Sequence, residues 1–225
     1  MNSIYIVVEG QTEQTFVRHV LAPYMADKGI YLHSALIGTP GHKGGDIRFH
    51  RAKADICNFL RQRKDTFVST MFDYFRIDSQ WPGAEKLQWE IQNGVAYTAS
   101  QKAEILESAT QNEIAGSFSK YDAENRFIPY IEMHEFEAVL FSDPEILANK
   151  TEIDIVQIQS IIAAYDNPEE INGNPDKTPG KRLDILKNGY RKVAMGKIIS
   201  EAIGIQTIRR QCPHFDSWLT KLEQI

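Results

Sequence analysis

A chain of 225 residues, 42% of them apolar or aromatic, is long enough for one substantial hydrophobic core and has the composition of a soluble globular protein. No apolar stretch approaches the ~18–20 residues that span a bilayer, and no basic segment or signal core precedes Ile4, so a cytoplasmic protein with no membrane association is expected. The net charge of −5 argues against indiscriminate nucleic-acid binding, and Cys57 and Cys212 form neither a CxxC pair nor a disulfide framework.

The run Ile4-Tyr5-Ile6-Val7-Val8 predicts a strand, and Glu9-Gly10-Gln11-Thr12 a tight turn into a helix. Phe16, Val20, Leu21 and Tyr24 follow at helical spacing, and Asp27-Lys28-Gly29 ends that helix. Residues 31–37 predict a second strand. A glycine-rich loop, 38–46, precedes a basic amphipathic helix carrying Ile47, Ala54, Cys57 and Leu60. A third strand, 67–72, ends at Asp73 and leads into an irregular loop, 74–83. Helices are expected at 84–92 and 99–114, a fourth strand at 127–133 with Pro129 hinting at an edge, and a helix at 135–141. Beyond residue 150 the pattern is helical, over 153–165, 181–187, 190–203 and 214–222, with a polar loop at 166–179.

Strands alternating with helices predict a mainly parallel four-stranded sheet with its carboxyl ends on one edge. The expected organisation is an α/β domain over 1–145 and a helical extension over 146–225 packed on the same core. In open α/β sheets ligands bind at that carboxyl edge, where Glu9 and Asp73 would meet.

Asp78, Glu135 and Glu137 are further candidates for an acidic site. Carboxylates suit Mg²⁺ or Mn²⁺, hard cations that phosphoryl chemistry uses to neutralise developing charge. The plainer reading is of strand-end acids that cap the next helix. Glu135 and Glu137 are two residues apart and would diverge on a helix, so at most one is expected to face a site unless the backbone there is irregular. Lys43 lies between His42 and Gly44, which fails the GxxxxGK[ST] pattern of a phosphate loop. Lys43, Arg48, Lys181 and Arg182 could instead hold a phosphate backbone, with a solvated helix face as the bland alternative. His134-Glu135 is no HExxH motif, and no GxSxG elbow is present. Cys212-Pro213-His214 lacks a matching Cys/His pair, so Pro213 is read as starting the last helix.

Val8-Glu9-Gly10-Gln11-Thr12-Glu13 after a leading strand, and Met71-Phe72-Asp73 at the end of the third, resemble the Toprim superfamily of topoisomerases, primases and OLD-type nucleases. Gly44-Gly45, Trp81-Pro82-Gly83, His134-Glu135-Phe136-Glu137-Ala138, Ser142-Asp143-Pro144 and Cys212-Pro213-His214-Phe215 extend the likeness, over nearly the whole chain, to a Toprim-like family of prokaryotic proteins. The resemblance implies a Toprim-like Rossmannoid core and a metal-dependent nuclease, with Glu9 as metal ligand or general acid/base and Asp73 as the first acid of a DxD pair. Phe75 stands where the second aspartate is expected, and Asp78 is the nearest replacement. The resemblance further implies a role in defence against phage and foreign DNA beside an AAA- or ABC-type ATPase, with DNA or RNA as substrate. The oligomeric state is left open. A regulatory subunit that docks on the ATPase through a degenerate site is the alternative.

Overall fold

A computed structural model describes residues 2–38, 47–171 and 177–225. At its centre lies β1 (Asn2–Val8). Successive side chains of a strand point to opposite faces, so Ile4, Ile6 and Val8 enter one apolar cluster while Val7 enters another. The parallel strands β2 (Ile30–Leu36) and β3 (Thr66–Asp73) flank it, with Val8 opposite both Leu36 and Met71.

On one face, α1 (Gln11–Phe16) runs through a π-helical segment, Val17–Leu21, into α2 (Ala22–Ala26). On the other, α3 (Phe49–Gln62) buries Ala52, Ile56 and Leu60, which recur every four residues along one stripe. The strand order is β2-β1-β3-β4, all parallel, so the expected α/β architecture is observed.

The fourth strand position differs from the expected continuous run at 127–133. It consists of β4 (Phe127–Ile128) and β5 (Ile131–Glu132), each paired to β3. Pro129 has no N–H to donate, and hydroxyls of β3 repair the break. Ser69 Oγ donates to the Ile128 carbonyl at 2.5 Å; Thr70 Oγ1 donates to the Tyr130 carbonyl and accepts from its N–H, both at 2.9 Å. Beneath β3, the buried Arg126 guanidinium donates to the carbonyls of Leu60, Arg63, Tyr121 and Thr66, tying the end of α3 to the start of the strand.

After β3 come a 3₁₀ turn (Tyr74–Arg76), α4 (Ala84–Gln92), α5 (Ala99–Ser117) and α6 (Ala123–Arg126). A 3₁₀ stretch, Phe136–Ser142, replaces the α-helix expected at 135–141. The helix expected at 153–165 is α8 (Ile155–Ile162); before it stands a helix that was not expected, α7 (Pro144–Thr151), and the two are divided where Glu152 takes a left-handed φ of 59° and Asp154 caps α8 through the Val156 N–H.

There follow α9 (Pro179–Leu186), α10 (Lys192–Ile203), α11 (Ile205–Gln211) and α12 (Pro213–Glu223). Ile199, Ile203, Ile208, Phe215 and Trp218 join the same cluster as Ile4, Ile6 and Val8, so the C-terminal helices complete the core that β1 begins. Among the described residues no helix is long and apolar enough to cross a membrane.

Candidate acidic site at the sheet edge

Val8 pairs with Met71, so the residues that follow each strand emerge side by side at the carboxyl edge. Glu9 leaves β1 there, and Asp73 closes β3. Glu9 is only 7% exposed. Its Oε1 lies 3.4 Å from Nε of Arg76, and its Oε2, buried, has no hydrogen-bond partner among the described residues. Burial, then the charge of Glu13, pushes the Glu9 carboxyl up to about 7.

Glu13 is also buried, and its Oε2 accepts the Gly10 N–H at 2.9 Å, so the carboxylate closes the turn into α1. Burial raises it too. Asp73 retains partial solvent access, and its Oδ1 accepts the Phe136 N–H at 3.1 Å. Burial in the edge, followed by the charges of Glu13, Glu9, Glu137 and Glu132, holds it well above the usual carboxylate range.

The 3₁₀ stretch and the extended residue before it bring in two more acids. Glu137, 3% exposed, is raised to about 7 by burial, against the pull of Lys192, whose Nζ is 3.4 Å from its Oε1. Glu135 accepts the Gly180 N–H at 2.9 Å through Oε2. Both therefore face the edge, where divergence on an α-helix was expected; Glu135 precedes the 3₁₀ stretch in extended backbone (φ −143°, ψ 152°), and only Glu137 lies within it. Burial alone would lower the Lys192 ammonium, but Glu137 and Glu135 outweigh it, and its pKa is raised. A Cβ on Gly180 would sit 2.5 Å from Lys192 Nζ and 3.0 Å from Glu135 Oε2, so a side chain there would push the flexible lysine end aside.

Other candidates lie elsewhere. Asp78 accepts the Phe49 N–H at 3.2 Å and the Gln80 N–H at 2.8 Å, so it fastens its loop to the start of α3 and makes no hydrogen bond with Glu9 or Asp73 among the described residues. Phe75 stacks on the buried His134 ring, centroids 5.2 Å apart, and burial lowers that histidine to about 3. Lys43 lies outside the described residues. Arg48, exposed, immediately precedes α3. Lys181 is in the first turn of α9, one residue beyond the Gly180 contact with Glu135. Arg182 donates to the Lys177 carbonyl and the Tyr165 hydroxyl, which holds it at the α8–α9 junction.

Four participants were missed in the sequence, among them Arg76 beside Glu9. Glu13 had a legible signal, an acid three residues into a helix after a turn. Glu132 had another, a charge inside an apolar strand. It is fully buried opposite Asp73 in the sheet, receives the Tyr130 hydroxyl at 2.8 Å, and is held well above the usual range by burial and then by Glu169. Lys192 gave no local signal, because only the packing of α10 brings it to the edge. Among the described residues no three Asp, Glu, His or Cys side chains already converge as a metal-ligand group.

The chain is thus an α/β protein with a parallel sheet whose carboxyl edge gathers buried acids against one lysine and one arginine. It belongs to the family described as Domain of unknown function (DUF4276), whose family model matches residues 8–223. Neither a curated protein nor a solved structure matches the chain.

Proposed function

We propose that the acidic edge is the centre of a divalent-cation-dependent phosphodiester hydrolase acting on DNA or RNA. The carrying observation is the buried, unpartnered Oε2 of Glu9 among acids that raise one another's pKa values. So much negative charge out of water is costly unless a cation or a proton neutralises it. The donor chemistry fits Mg²⁺ or Mn²⁺, since every acid at the edge offers hard oxygen. Glu9, Glu13 and Asp73 would hold the ion, with Glu137 beside them.

When bound, the cation would polarise a phosphoryl oxygen and acidify an attacking water. The chain's own groups supply the rest. Glu9, raised to about 7, can exchange a proton near neutral pH. Arg76, mostly exposed, and Lys192, half-exposed, place positive charge at the rim of an otherwise negative site, where a phosphate backbone would be held. Lys181 lies next to that rim, and Arg48 would extend the basic track. Asp78, committed to capping α3, is not needed as a ligand. A role in prokaryotic defence beside an AAA- or ABC-type ATPase belongs to the same reading.

Phe75, 38% exposed and seated on His134 where a second aspartate was expected, favours a second reading: a docking subunit of such an ATPase with a degenerate site. One experiment separates the two. Plasmid DNA and total RNA are incubated with the purified chain in Mg²⁺, Mn²⁺ or EDTA, beside Glu9→Gln and Asp73→Asn. Metal-dependent cleavage lost in both variants supports the hydrolase. Cleavage retained in both, or absent from wild type with and without the ATPase, rules it out.

A further inference from the structure

Phe75 lies in the 3₁₀ turn that leaves β3 directly after Asp73, between Tyr74 and Arg76, and is 38% exposed. A single apolar side chain on a surface is ordinary, but this one stands two residues from one edge carboxylate and next to the arginine that reaches another. Its ring is also held in place. One face stacks on the His134 ring, centroids 5.2 Å apart and planes 30° from parallel, and Tyr74 meets the same imidazole edge-on at 5.4 Å and 84°. His134 is fully buried, so the support beneath Phe75 is part of the core, and the Phe75 N–H donates to the His134 carbonyl at 3.5 Å. The remainder of the Phe75 ring meets solvent as a flat apolar surface already fixed in orientation.

The complement of such a ring at the mouth of a phosphodiester-cleaving centre is the face of an unpaired base. Base–aromatic stacking tolerates every base, because each has a π-face, but it requires a base freed from its own neighbours. A duplex keeps its bases stacked on one another and offers a protein its backbone and groove edges. The rest of the edge points the same way. Glu9 and Glu137 are recessed, and the cations that contact them among the described residues are Arg76 and Lys192, on a chain of net charge −5. A duplex, with its doubled phosphate charge, is held by a broad basic face, whereas a strand that passes one or two cations and lays a base on a ring needs less. Phe75, Arg76 and Glu9 follow one another from the rim inward, in the order base, phosphate and carboxylate.

We propose that the acidic edge takes single-stranded DNA or RNA, with an unpaired base stacked on Phe75 and the adjoining phosphate on Arg76, so that the strand is led to the recessed carboxylates. This substrate class rests on the hydrolase reading of the edge. Phe75 selects for strandedness and not for base identity, since its ring offers no hydrogen bond to a base edge.

The test is steady-state cleavage, in Mg²⁺ or Mn²⁺, of end-labelled DNA and RNA strands without self-complementarity and of the same strands annealed to their complements; the DNA and RNA arms tell which sugar the site accepts. Wild type is expected to cut a strand with kcat/KM about tenfold or more above that of its duplex. Phe75→Leu, which keeps apolar cover over His134, should raise KM for the strand about fivefold or more with kcat nearly unchanged, since a base stacked equally in the ground and transition states contributes to binding alone. Phe75→Trp should restore the strand KM, and duplex cleavage should be the same in all three proteins. A duplex cut as well as the strand, a strand KM unmoved by Phe75→Leu, or an equal loss on strand and duplex in that variant would overturn the assignment and leave the hydrolase reading standing. No cleavage of any substrate by wild type would remove the hydrolase reading itself, and this inference with it.

Discussion

Lys192 on α10 sets its ammonium 3.4 Å from the buried carboxylate of Glu137, and so joins the last third of the chain to the carboxyl edge of the sheet. The lysine is half-exposed and its partner is almost wholly buried. The pair is therefore unequal: the lysine can find water elsewhere, while Glu137 has little alternative to a proton or a cation.

That inequality sets a pH dependence. Glu137 titrates near 7 in the folded chain, above the ordinary 4.5. Between those values the unfolded chain gives up the proton that the folded chain keeps, so stability falls as pH rises through that window. Glu137→Gln removes the contribution and should gain about 1–3 kcal/mol relative to wild type at pH 8 over its difference at pH 4.5. Lys192→Met should do the reverse, losing about 1 kcal/mol at pH 8 and little at pH 5, a figure kept small because the ammonium is half-exposed. Urea unfolding midpoints at the two pH values decide both; parallel pH profiles for wild type and Glu137→Gln would contradict the buried-acid account.

A cation that binds only the folded chain must stabilise it by mass action. Millimolar Mg²⁺ or Mn²⁺ should raise the melting temperature by about 2–4 °C at pH 8, and less at pH 6, where raised carboxylates retain protons that the ion must displace. Asp73→Asn should abolish the shift. Differential scanning calorimetry with and without EDTA reads it, and an equal shift in the variant would place the cation elsewhere.

Gly196, on the buried side of α10, allows that helix to reach α1 and the 3₁₀ stretch. A Cβ there would lie 3.0 Å from Cε1 of Phe136 and 3.4 Å from Cγ2 of Thr12. Phe136 is fully buried against Phe16, ring centroids 5.0 Å apart, and has no room to withdraw. Gly196→Ala gains up to about 1 kcal/mol of helix propensity but meets an overpacked core at about 1–3 kcal/mol. The expected outcome is a net loss of about 1 kcal/mol by denaturant titration, with Phe136→Leu restoring part of it in the double variant.

The sheet and its acidic edge were legible because each rests on local pattern. The alternation Ile4, Ile6, Val8 marks a strand face, and Glu9 and Asp73 follow directly from the ends of two such runs. What was not legible depends on backbone detail or distant packing. Pro129 hinted at an edge, but the hydroxyls of Ser69 and Thr70 that bridge the break in the fourth strand cannot be assigned to it by spacing. Glu135 and Glu137 converge because Glu135 is extended just before the 3₁₀ stretch that holds Glu137, and Asp78 is diverted to the Phe49 N–H, 29 residues away in sequence. Lys192 reaches the site across the whole fold. The sequence periodicity of α10 announces a helix, not which carboxylate its first residue meets.

Arg126 supplies the strongest single test of the core. Its side chain is 5% exposed and donates to four backbone carbonyls, those of Leu60, Arg63, Tyr121 and Thr66, with no carboxylate hydrogen-bonded to it among the described residues. Two of these carbonyls belong to the last turn of α3 and the residue after it, where the helix leaves acceptors without intrahelical donors and where its dipole favours positive charge. Burial lowers the guanidinium pKa, yet arginine stays charged at any pH the fold survives. Arg126→Met keeps much of the aliphatic volume and strands those acceptors, each bond to a charged donor contributing about 1.5–3 kcal/mol with incomplete additivity. A loss of about 3–5 kcal/mol is expected, and Arg126→Lys should recover only part of it, because three donors on one nitrogen cannot span carbonyls that the planar fork reaches together. Unfolding free energies from urea titration give the comparison. If the methionine variant lost less than about 1 kcal/mol, the joint between α3 and β3 would have to be held by apolar packing alone.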